Sequence, residues 1–261
     1  MDIQSAPNLP KELVSKIHNG DGISVLFDLQ KELMVEYVRV ESLPQWPINP
    51  HEPKSQVILK DFIGRIAEEL GEGWEYYEKL MSLGTRSLAN LAGFNEEIAD
   101  TTAFLLETLI YVGVTPRELE IAMAGDETNL DPMSTMYYGG FAKPVSTCKL
   151  FNLAGEYPNH IDYLSAGDIL GEVDSEYTAL LIESHWQFNY KLQMAKNVLK
   201  NKPWKQHQVM TDENKFKSRL IEAATIYFKL CLGTLQMTPL GFIQVYYKKN
   251  RINLFRVKSK Y

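Results

Sequence analysis

The chain has 261 residues, 45% of them hydrophobic and 23% charged, with a formal net charge of -6. That length is ample for one domain with a buried core, and the balance is that of a globular chain rather than a disordered one. No window approaches 18 uninterrupted apolar residues and the opening MDIQSAPNLPKELV lacks the basic stretch and apolar core of a signal peptide, so neither a membrane span nor a leader is expected.

Helical periodicity dominates and strand signals are scarce. Residues 24–41 (SVLFDLQKELMVEYVRVE) predict a first helix. The segment LPQWPINPHEP follows, with four prolines in eleven residues, and is a loop. Residues 55–81 predict a long second helix with an apolar stripe of Leu59, Phe62, Ile63, Ile66, Leu70, Trp74 and Tyr77. Residues 95–114 predict a third, with Asn95 as N-cap, Glu96 and Glu97 in the first turn, and a stop at Gly113. Thr115 and Pro116 read as N-cap and first residue of a short fourth helix.

Residues 125–160 are rich in Gly, Pro, Ser, Thr and Asn, and the chain reads as a single domain with an insertion at about 121–174. Helices resume over 175–201, over 212–235 with Asp212 as N-cap, and over 239–250 with Thr238 before Pro239. The remaining residues read as a basic, aromatic tail. Residues 246–261 hold six Lys or Arg and no acid, and residues 185–210 hold five Lys and no acid. Such blocks are either solvated faces or surfaces for a polyanion. The pattern as a whole is that of an all-α bundle.

The acids repay closer reading. At about 100° per residue, Glu69 falls at the edge of the second helix's apolar stripe with Glu72 one turn on, while Glu68 and Glu75 point to solvent. On the third helix Glu97, Asp100, Phe104 and Tyr111 share a face, and the rest of that helix is apolar nearly all round. A carboxylate there is costly unless paired or metal-bound. The acids either complement a helix N-terminus or, if the two helices pack antiparallel, converge as four oxygen ligands suited to Mg²⁺ or Mn²⁺.

The motif Glu69-Leu70-Gly71-Glu72, followed by Glu97-Ile98-Ala99-Asp100 and Phe104, resembles the all-α nucleoside triphosphate pyrophosphatases, in particular the dimeric dUTPases and phage dCTP/dUTP pyrophosphatases. The segment Lys249-Asn250-Arg251-Ile252-Asn253-Leu254-Phe255-Arg256, with Tyr261 at the end, resembles the closing segment of that family, and Leu29-Gln30 is similar to a pair that frames its base pocket. The resemblance covers less than half of the chain. It implies a dimeric-dUTPase-type bundle, a homodimer, and Mg²⁺-dependent cleavage of a pyrimidine deoxynucleoside triphosphate, dUTP or alternatively dCTP, to the monophosphate and pyrophosphate. By the same resemblance Glu69, Glu72, Glu97 and Asp100 hold metal, and Glu69 or Glu72 activates the water. Gln30, Phe104, Lys249, Asn253, Arg256 and Tyr261 contact the nucleotide. In this chain Thr101-Thr102-Ala103 stands where that family carries an aromatic residue and a His, and Met34 where it often has Asn. A nucleotide-sensing or protein-binding module with little catalysis is the alternative on the same scaffold.

The other residue types carry less. Cys148 and Cys231 match no metal spacing, so a reducing cytoplasm is expected. The five His form no cluster, Trp74 and Trp186 read as core, and no Gly-rich phosphate loop or nucleophile elbow occurs. Lys202 and Lys205 read as favourable cations after a helix end rather than as phosphate ligands. The overall acidity argues against nucleic acid as a partner.

Overall fold

The structure, a computed structural model, describes residues 6–82, 88–125, 175–200, 210–235 and 237–259. The described residues form helices and no strand: α1 (Lys11–His18), α2 (Gly22–Glu41), α3 (Pro53–Ser82), α4 (Leu88–Tyr111), α5 (Pro116–Gly125), α6 (Ser175–Val198), α7 (Glu213–Lys229), which runs into a π-helical turn (Leu230–Thr234), and α8 (Pro239–Ser259). Among them no single helix is long and apolar enough to cross a membrane. The bulk of the expected insertion lies outside the described residues, and residues 121–125 of it complete α5.

Short-range signals place several ends where the sequence puts them. Thr115 and Glu118 form a capping box: Glu118 N donates to Thr115 Oγ1 at 3.2 Å and Thr115 N donates to Glu118 Oε2 at 2.8 Å. Asp212 Oδ1 accepts from Lys215 N at 2.9 Å, and Thr238 Oγ1 accepts from Gly241 N at 3.0 Å. Two ends differ from expectation. α4 begins at Leu88, a full two turns before Asn95, so Asn95 is a buried mid-helix residue and Glu96 and Glu97 are not in a first turn. α8 continues through the basic segment to Ser259, so what reads as a tail is helix.

The α3–α4 hairpin is the centre of the molecule, and its register is antiparallel. Phe62 stacks on Tyr111 (centroids 5.5 Å apart), Gly73 faces Glu97, and Tyr77 meets Phe94 at 6.4 Å. Glycine permits the close approach. A Cβ on Gly73 would come within 3.3 Å of Glu97 Cβ, and one on Gly93 would run into the Tyr76 ring. α4 is buried on nearly every side, with Leu105, Leu106 and Leu109 wholly inaccessible. Each such side chain contributes roughly 1.5–3 kcal/mol.

On one flank α2 and α8 pack on α4 and on each other. Tyr246 OH donates to Gln30 Oε1 at 2.6 Å, and Asn250 Nδ2 donates to the Leu29 carbonyl at 3.0 Å. The α6–α7 pair covers the other flank through Phe188 and Tyr227 (5.1 Å), and the Tyr227 hydroxyl donates to the Ile98 carbonyl of α4 at 2.8 Å. Trp74 sits half-buried on α3, edge-on to His185, as expected of a packed residue. Trp186 is instead 72% exposed, because its face of α6 meets no other described element. Cys231 is a buried free thiol.

Candidate metal centre

Midway along the hairpin the antiparallel register brings Glu69 of α3 opposite Glu97 and Asp100 of α4. Each offers a carboxylate oxygen, and these atoms lie within 4.8 Å of one another. All three residues are half-buried. Burial pushes every one of the three carboxyls upward; the Asp100 charge adds to this at Glu69 and Glu97, while at Asp100 itself Lys249 works against it. Glu97 is pushed up to about 8, first by burial and then by its hydrogen bond to Glu69, so the pair shares a proton at neutral pH. Oxygen donors alone, without Cys or His, match a hard divalent cation. A cation would relieve the repulsion that the shared proton now limits.

Glu72 stands apart from this group. It is exposed and outside the 4.8 Å set, although its charge still raises the pKa of Glu69 and Glu97. The cluster is therefore a triad with a fourth carboxylate at its mouth, rather than the four converged ligands that the spacing suggests. One turn of α3 separates Glu72 from Glu69, and that turn carries it past the helix contact toward solvent.

The third wall is α8. Lys249, only 6% exposed, places its Nζ 2.6 Å from Asp100 Oδ2 and 2.5 Å from Glu96 Oε1. Burial pulls its pKa down, and Asp100 and Glu96 more than offset that, so the ammonium stays charged. Asn253 and Arg256 follow at i+4 and i+7 on the same helix face, half-buried and exposed respectively. The Arg256 charge acts on Asp100, lowering its pKa. The basic segment thus meets the acidic group directly through Lys249, a pairing that the sequence pattern did not indicate.

The other expected residues fall into three places. Phe104 is half-buried one turn beyond Asp100, 6.2 Å from Phe62 and with the Arg65 guanidinium over its ring at 5.6 Å. Gln30 is fully buried at the α2–α8 contact, where Tyr246 engages its Oε1 and its Nε2 has no hydrogen-bond partner among the described residues. Tyr261, Lys202 and Lys205 lie outside the described residues. No family model, no curated protein and no solved structure matches this chain.

Two features were not foreseen from the sequence. Glu96 reads as a dipole-complementing acid, yet it is the second partner of Lys249. Glu107, two turns beyond Asp100 on the same face, is a carboxyl only 3% exposed whose Oε1 has no hydrogen-bond partner among the described residues. Its place in the run Glu97, Asp100, Phe104, Glu107, Tyr111 was legible; its burial depended on packing. An apolar cleft of about 350 Å³, counting space open to solvent, adjoins the triad on the other side, between Glu69, Trp74, Tyr77, Phe94 and His185.

Proposed function

We propose that this chain is a metal-dependent deoxynucleoside triphosphate pyrophosphohydrolase of the dimeric-dUTPase type, acting on a pyrimidine nucleotide, dUTP or dCTP. The observation that carries the reading is the Glu69–Glu97–Asp100 triad facing Lys249 across the helix hairpin. Glu69, Glu97 and Asp100 would hold Mg²⁺ or Mn²⁺. When bound, such an ion supplies charge neutralisation at phosphate oxygens and a more acidic water.

The chain's own residues have the remaining tasks. Lys249, Asn253 and Arg256 lie on one face of α8, and a triphosphate beside the triad would accept charge-assisted hydrogen bonds from them. Water attacks phosphorus as the bond to the pyrophosphate oxygen breaks. The water proton passes to a carboxylate of the α3 pair, Glu69 or Glu72. Glu72 is the member not tied to another carboxyl among the described residues. A homodimer would accord with the family resemblance.

The decisive assay incubates the protein with each dNTP and Mg²⁺ and measures monophosphate and pyrophosphate. Turnover of dUTP or dCTP is expected, with Glu69→Gln and Asp100→Asn each nearly abolishing it at unchanged helicity. No turnover of any nucleotide would sink the enzyme reading. One observation favours the alternative, a nucleotide-binding module without catalysis: Lys249 already neutralises Asp100 and Glu96, so the bundle has a counter-charge in place without metal. Nucleotide binding without product would establish it.

A further inference from the structure

Lys249 serves two acids of different standing. Its Nζ lies 2.6 Å from Asp100 Oδ2 and 2.5 Å from Glu96 Oε1. Asp100 belongs to the triad, and its side chain is 17% exposed. Glu96 lies outside the triad, and its side chain is 37% exposed. The ammonium thus bridges a carboxylate that a divalent cation would use and one that it would not. An ammonium has three N–H donors at the end of a flexible four-carbon stem, so it can give up one acceptor and keep another.

The Lys249 charge is felt beyond Asp100. It also favours the ionised form of Glu69, across the hairpin on α3. Like charges a few ångströms apart repel strongly where water is scarce. A positive charge held at Asp100 from the α8 side therefore weakens the attraction of the triad for a second cation. Asn253 and Arg256 follow Lys249 on the same face of α8, and Arg256 is exposed. A phosphate on that face meets the Arg256 guanidinium and offers Lys249 an acceptor in place of Asp100.

We propose that Lys249 couples the two halves of the site: it holds Asp100 until a phosphate draws the ammonium away, so that a divalent cation and a nucleotide each bind more tightly in the presence of the other. This rests on the nucleotide reading of the triad and adds how its occupancy is regulated. Without nucleotide, Lys249 is the counter-charge of Asp100 and Glu96. With a phosphate beside it, the ammonium turns to the new acceptor and leaves Asp100 for the cation. Coupling of this kind is reciprocal, so an occupied triad favours phosphate by the same factor, typically about 5- to 150-fold. A cation that bridges to phosphate would also bind cooperatively with it. That route alone would not make the nucleotide-free protein bind a cation better once Lys249 is removed, and the difference separates the two.

The test uses the full chain, with Mn²⁺ binding followed by electron paramagnetic resonance and α,β-imido-dUTP and α,β-imido-dCTP as nucleotides that resist cleavage. Lys249→Met is expected to bind Mn²⁺ alone about ten-fold or more tightly than the wild type, and the analogues about ten-fold or more weakly. Since that variant loses a buried charge pair, the wild type supplies a second reading. In a chain labelled with ¹⁵N at the lysine Nζ, the Lys249 resonance, identified by its absence from Lys249→Arg, should shift as Mg²⁺ saturates the site. A Lys249 resonance unmoved by saturating Mg²⁺, or a folded Lys249→Met that binds Mn²⁺ no more tightly than the wild type, overturns the proposal and leaves the metal reading standing. Mn²⁺ binding by neither protein, with or without an analogue, would sink the metal reading and this inference with it.

Discussion

Removing the Lys249 ammonium would leave Asp100, with its side chain 17% exposed, facing Glu96 with the weaker influence of the exposed Arg256 in place of a direct ion pair. Breaking a buried pair from one side typically costs about 3–5 kcal/mol. Lys249→Met is therefore expected to lower stability by about 3 kcal/mol in urea melts. The double variant Lys249→Met/Asp100→Asn should regain much of the loss. If Lys249→Met melts like the wild type, the pair is not a structural one. A second residue-level consequence concerns pH. Glu97 and Glu107 titrate near 8 in the folded chain, against an ordinary value of 4.5. Between those values the folded chain keeps protons that the unfolded chain has released, so stability falls as pH rises from about 4.5 to about 8. Glu107 dominates, because Glu97 is only half-buried and solvent screens it. Urea midpoints should decline across that window, and Glu107→Met should flatten the decline.

At the level of elements, the triad depends on how closely α3 and α4 approach, and Gly73 sets that distance beside Glu97. Gly73→Leu should separate the helices and weaken Mn²⁺ binding at least ten-fold, with helicity retained; unchanged affinity would show that the approach is not limiting. The same hairpin shows what a sequence discloses. Caps at Thr115, Asp212 and Thr238 were legible because the residues that make them lie three positions apart. The face shared by Glu97, Asp100 and Phe104 was legible because helix geometry is periodic. The start of α4 was not. Asn95-Glu96-Glu97 has the composition of a helix N-terminus, and only contacts with α8 and α3 show why these residues sit mid-helix. Lys249 illustrates the limit most plainly. A lysine in a basic run reads as a surface charge until the acids it neutralises, some 150 residues away in sequence, are brought beside it.

Across the whole molecule, α4 carries two of the three acids of the Glu69–Glu97–Asp100 triad near its middle and a lone carboxyl two turns on, and it is buried by every flank of the bundle. Strain of this kind in the central element makes the folded state sensitive to whatever occupies the site. A divalent ion at 100 times its dissociation constant would add about 2.7 kcal/mol of stability by mass action alone. The shared Glu69–Glu97 proton has a further consequence. An ion that takes the place of that proton must expel it, so the protein is a source of acid when loaded. Titrating Mn²⁺ into a weakly buffered solution at pH 7 should release close to one proton per site, seen as a fall in pH and as a binding heat that varies with the ionisation enthalpy of the buffer. Above about pH 9 the release should vanish, because Glu97 is then already ionised. A heat independent of the buffer at pH 7 would mean that the two glutamates hold no proton between them.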